Sequence, residues 1–265
     1  MTDGERELSQ QVRAAIHDLV LVLADSKRLL GMRYAGWILG APELEAGIAC
    51  ASMAQDEWGH GRLLYALLKE FDDDVDRIEH GREPEAYRNI EVLDEPPASW
   101  PGLVAINAFV DTALTVQFEA MAGSSWSPMR QRVGKMLDEE RFHEAHGTAW
   151  FRRLAQSGGA GRAALSDAAQ ATLPVLLRWF GPDSERAGAL RNEGVASLTG
   201  TALRERFLER VRPLLVEIGA GDGLPAMAPS FTGFDESSRR TTRRGPDTRT
   251  LEQVRGDRNR LFLMD

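Results

Sequence analysis

The chain carries one cysteine, Cys50, in 265 residues. No internal disulfide is available, which agrees with a reducing compartment. Long apolar runs are missing too. The longest near the N-terminus, Leu19 to Ala24, is too short to cross a bilayer and is followed at once by Asp25, Lys27 and Arg28. The opening residues lack the basic and apolar regions of a secretion signal, so the cytoplasm is the expected location and a membrane partner is not expected. An excess of positive charge is likewise absent: the formal net charge of -8 argues against nucleic acid as a partner. Strand-like alternation is scarce, and no internal repeat or low-complexity segment stands out. What is present, 43% hydrophobic and 27% charged residues, is ordinary for a globular domain with a sizeable core.

Helical periodicity dominates instead. It predicts an all-α bundle domain over residues 1–220 and an irregular, arginine-rich tail over 221–265. Helices are expected over about 5–39, from the Gly40-Ala41-Pro42 hinge to Phe71, and over 100–122, 128–155, 163–180 and 198–218. Residues 72–97, opening on Asp72-Asp73-Asp74, read as a long surface connection. The tail gathers Arg239, Arg240, Arg243, Arg244, Arg249, Arg255, Arg258 and Arg260 against an acidic body. It reads as flexible or wrapped on the surface. Docking onto a partner protein, helped by the apolar end Leu261 to Met264, is the sharper alternative.

Two helical stripes carry the chemistry. Steps of three and four through the second predicted helix give Cys50, Met53, Glu57, His60, Leu64, Leu67 and Phe71. Through the fourth they give Val133, Met136, Glu140, His143, Gly147, Trp150 and Leu154. Both stripes place a Glu-x-x-His pair at the same register on an otherwise apolar face. An ionised carboxylate on a core face costs several kcal/mol, on the order of what only pairing or a metal offsets. Paired Glu-x-x-His motifs facing inward are the arrangement of a di-iron or di-manganese carboxylate bundle, which also needs one carboxylate from each of two further helices. Asp111, on a stripe with Val104, Ala108, Leu114 and Phe118, is the best candidate on the third helix; Glu119 ranks lower. On the first helix, counting back from the hinge lands on Asp25. Lys27 and Arg28 are close by, and a fixed cation there would neutralise the carboxylates in place of a metal. His146 and Asp56 read as supporting residues.

The segments Gln55 to Gly61, Val110-Asp111, Glu139 to His143, Phe180 to Asp183, Leu203 to Phe207 and Glu217 to Gly219 resemble the phenylacetate-catabolic oxygenases. The resemblance is strongest to the catalytic subunits of the phenylacetyl-CoA epoxidase type and covers roughly residues 20–220. It implies a ferritin-like four-helix bundle with additional C-terminal helices. It also implies a di-iron monooxygenase acting with dioxygen on an aromatic acyl-CoA, paired with a homologous bundle subunit and fed by a separate reductase. Carried over, the metal ligands fall on Glu57, His60, Asp111, Glu140 and His143. The family's first-helix glutamate falls at Lys27 or Arg28. The first hairpin looks more like the family's non-catalytic subunit, so a metal-free scaffold is the alternative function.

Overall fold

A computed structural model describes residues 8–220 and 229–262. Four long rods form the bundle: α1 (Gln10–Ala35), α2 (Leu44–Leu67), a third rod, and α6 (Ser127–Gln156). The third rod joins α4 (Trp100–Ala105) through a π-helical turn, Ile106–Asp111, to α5 (Thr112–Glu119). Short α3 (Val75–His80) lies in the crossover between α2 and α4. α7 (Gly159–Trp179), α8 (Glu185–Asn192) and α9 (Gly200–Glu217) pack around the bundle, and α10 (Thr248–Arg255) lies in the tail. The fold is all-α and ferritin-like, with no strand among the described residues.

Local chemistry sets the helix starts. Ser9 caps α1 by accepting a hydrogen bond from the Val12 amide at 3.3 Å, and Ser99 caps α4 through the Gly102 amide at 3.2 Å. Pro101 and Pro128 sit in first turns, where a missing amide hydrogen costs nothing. Trp100–Glu119 is the one helix among the described residues long and apolar enough to cross a membrane, and it is buried in the core.

The crossover is more than a solvated loop. Tyr87, Asn89, Ile90 and Leu93 are buried against the bundle, and Arg88 reaches Asp18 on α1 at 2.5 Å. Asp18 also pairs with Arg186 and accepts from His17. Burial pushes its carboxyl up, but the His17 and Arg88 hydrogen bonds and the two guanidinium charges outweigh this and hold it at about 2. Since the folded value is depressed, this stability is present above the unfolded value of about 3.8 and lost as pH falls toward 2. Asp18→Asn is expected to flatten that part of an acid-unfolding curve followed by circular dichroism.

The tail is tied down rather than free. Buried Arg240 donates to both Asp94 oxygens, at 3.1 and 2.5 Å, and to the Asn89 carbonyl at 2.7 Å. Arg33 on α1 reaches Thr250 on α10 at 2.7 Å, and Arg28 reaches the Val254 carbonyl at 2.7 Å. Residues 248–255 form a helix where an irregular tail is expected from sequence. Residues 221–228 and 263–265, including part of the apolar end Leu261 to Met264, lie outside the described residues.

Candidate metal centre

Glu57 and His60 on α2 and Glu140 and His143 on α6 are all buried and face one another, as the matched stripes require. Asp111 joins them at the end of the π-helical turn. Ligand-type atoms of Glu57, Asp111, Glu140 and His143 lie within 4.8 Å of one another. His60 completes a crossed pattern: its Nδ1 lies 3.2 Å from Glu140 Oε1, while His143 Nδ1 lies 3.1 Å from Glu57 Oε1. Each imidazole therefore faces the carboxylate of the other motif. Their outer nitrogens meet half-exposed acids, His60 Nε2 with Glu139 at 2.7 Å and His143 Nε2 with Asp56 at 3.4 Å.

Asp111 is held by its surroundings. Tyr34 on α1 donates to Oδ2, and Asn107 Nδ2 donates to the same oxygen at 2.8 Å. Asn107 is oriented in turn by the His143 carbonyl at 3.1 Å and by His146 Nδ1 at 3.0 Å. Gly147 leaves room for this: a Cβ there would meet Asn107 Oδ1 at 2.9 Å. Tyr34 and Asn107 were not among the residues singled out from sequence. The only signal for Asn107 is its four-residue spacing from Asp111, and Tyr34 lies on the helix whose facing the sequence left open.

The first helix contributes a cation. Lys27 Nζ donates to Glu57 Oε1 at 2.8 Å and to Glu140 Oε1 at 2.5 Å, and lies 3.8 Å from Asp111 Oδ1. Its side chain is fully buried, and its ammonium sits 5.7 Å from the centre of the Phe118 ring. Asp25 does not join the cluster, which corrects the expectation drawn from the hinge count. It accepts hydrogen bonds from Tyr65 at 2.5 Å, from the Arg88 amide at 2.8 Å, and from two nitrogens of Arg82. Asp25 and Lys27 are two residues apart, so they point to nearly opposite sides of α1.

The electrostatics follow from burial and crowding. Burial disfavours the Lys27 ammonium, but Glu140, Glu57 and Asp111 more than offset this and raise its pKa. Burial also works against a charged His143, yet its contacts with Asp111 and Glu57 keep it protonated up to about 11. Burial raises Glu57, assisted by Glu140 and Asp111 and opposed by Lys27. Asp111 and Glu140 go the other way, because Lys27 and the imidazoles outweigh their burial. Lysine and histidine thus balance three carboxylates from within the protein.

The donor set can be weighed against a two-metal centre. Glu57 Oε2, Asp111 Oδ1, His60 Nδ1 and His143 Nδ1 are buried without an aligned hydrogen-bond partner, as metal-directed atoms would be. The four residues Glu57, Asp111, Glu140 and His143 could hold a metal ion, but a pair of divalent ions would have to displace the Lys27 ammonium. The sixth donor position holds an ammonium, and two carboxylate oxygens that would bridge or ligate are taken up by it. A cation at hydrogen-bond distance from both glutamates would have to leave the core before two more cations could enter.

A model of the phenylacetic acid catabolic protein family matches residues 1–229. The chain belongs to that family. Its relatives include two different subunits of the 1,2-phenylacetyl-CoA epoxidase of Escherichia coli strain K12. One is 27% identical over 199 residues, across 72% of this chain and 63% of the relative. The other is 25% identical over 178 residues, across 66% of this chain and 71% of the relative. The chain thus spans less than two thirds of the length of the first relative and resembles both at nearly equal identity.

Proposed function

We propose that this chain belongs in a multi-subunit oxygenase of the phenylacetyl-CoA epoxidase type, as a component in which a buried lysine takes the place of the metals. Its work is then to support and complete a homologous catalytic bundle rather than to activate dioxygen itself. The observation that carries this reading is the Lys27 ammonium between Glu57 and Glu140. The two relatives, named as different subunits of one epoxidase, supply the assembly it would enter. Within it, Lys27, His60 and His143 hold α1, α2 and α6 together at mid-height, and Tyr34 and Asn107 tie in the third rod through Asp111.

A second reading keeps this chain as the di-iron monooxygenase component itself, acting on an aromatic acyl-CoA with a separate reductase. The unpartnered Glu57, Asp111, His60 and His143 atoms favour it, but it requires Lys27 to swing out. Loading the purified chain with ferrous ion in air separates the two. The expected result is well under one iron per chain and no oxo-bridge absorbance; about two irons per chain would sink the scaffold reading in favour of the catalytic one.

A further inference from the structure

A second concave site lies away from the carboxylate cluster, where α1, α2, α3 and α10 meet. The cleft measures about 510 Å3 and is lined by Arg28, Met32, Trp58, Arg62, His80 and Val254, among others. That volume falls in the range of small-ligand sites, roughly 300–1,000 Å3. Trp58 and Arg62 stand on the exposed side of α2, whereas Glu57 and His60 face the core. The cleft and the cluster therefore use different faces of the same helix.

The lining has a definite chemistry. Trp58 is 39% exposed. Its ring edge lies directly on α1 because residue 31 is glycine: a Cβ there would meet Trp58 Nε1 at 2.6 Å. With Met32, Ala35 and Val254 it forms an apolar wall. Arg62 is exposed and has no carboxylate partner among the described residues. The acid that lines the cleft, Glu79, is already bound by Arg28. Donors and positive charge thus outnumber acceptors, next to an open indole.

The fourth wall comes from the tail. Gln253 and Val254 belong to α10, beyond the residues that the family model matches. α10 is fastened at this edge by the Arg28 guanidinium on the Val254 carbonyl.

We infer that this cleft binds a small aromatic anion, its ring against Trp58 and its phosphate or carboxylate on Arg62. Charge-assisted hydrogen bonds to a guanidinium are the stronger kind and set the anion's position, while the indole supplies ring contact. A charge without a ring leaves the apolar wall unused, and a ring without a charge leaves Arg62 unpaired.

Calorimetric titration of the full chain tests this with four probes: adenosine monophosphate and benzoate as aromatic anions, adenosine as ring alone, and inorganic phosphate as anion alone. At least one aromatic anion is expected to bind with a dissociation constant of about 1 mM or tighter. Adenosine and phosphate are each expected to bind at least about tenfold more weakly than that anion. Arg62→Glu and Trp58→Ala change exposed positions and should leave the circular dichroism spectrum unaltered, while each weakens binding at least about tenfold. Absence of binding by both aromatic anions overturns the inference. So does binding that either variant leaves unchanged, or phosphate alone binding as tightly as the aromatic anions. Because neither variant touches the cluster, this outcome is independent of the iron-loading result.

Discussion

Lys27→Glu is expected to raise the iron content of the purified protein from well under one to about two ions per chain. The substitution removes the ammonium from between Glu57 and Glu140 and supplies the missing carboxylate at the same place on α1. Without metal, the variant buries four carboxylates facing two imidazoles and should be much less stable than the parent. With ferrous ion present its melting temperature should rise with metal concentration, since an ion that binds only the folded state stabilises it by mass action. Lys27→Met is the control. It leaves three buried carboxylates short of a cation, at a cost of about 3–5 kcal/mol, and does not create a sixth ligand. Iron content by elemental analysis, read beside melting curves with and without metal, decides the matter. A folded Lys27→Glu chain that stays iron-free would show that the ammonium is not what keeps metal out.

Arg82→Met is expected to destabilise the protein by about 3–5 kcal/mol, the usual cost of leaving one partner of a buried ion pair alone. Asp25 is fully buried and Arg82 is nearly so. The pair joins α1 to the crossover, with Tyr65 and the Arg88 amide completing the carboxylate's shell. Asp25→Asn in the Arg82→Met background should recover a large part of the loss, because the stranded charge is gone. Urea unfolding of both single variants and the double variant gives the coupling energy directly. Additive losses would mean that the pair is bystander geometry.

Lys27 and Asp25 also mark where sequence reasoning reached and where it stopped. Glu57, His60, Glu140 and His143 were legible because a four-residue motif recurring in register on two apolar stripes fixes both level and facing. Asp111 was legible for the related reason that it is the one charge on an apolar stripe. Asp25 came from counting residues back from the hinge, which estimates level along a hairpin but leaves rotation about the helix axis free. α1 ends at Ala35, short of the expected hinge at Gly40. Its buried face is so broad that Asp25, Ser26 and Lys27 are all enclosed. Periodicity then loses its power to say which of them faces the cluster. Tail packing was invisible for another reason: it depends on single arginine contacts more than a hundred residues distant, such as Arg240 with Asp94, and these leave no periodic trace.

The tail contacts bear on how the chain is made. Arg28 and Arg33 find their partners at Val254 and Thr250, 226 and 217 positions later in the sequence. Until residues 250–254 are made, these guanidinium groups have only their nearer partners, Glu79 for Arg28 and the Leu93 and Asp94 carbonyls for Arg33. At a synthesis rate on the order of 5–20 residues per second, that interval lasts roughly ten seconds or more. The nascent bundle therefore waits with one flank unfinished, and any fusion or truncation that delays or removes residues 240–255 prolongs the stage at which chaperones and proteases can reach it.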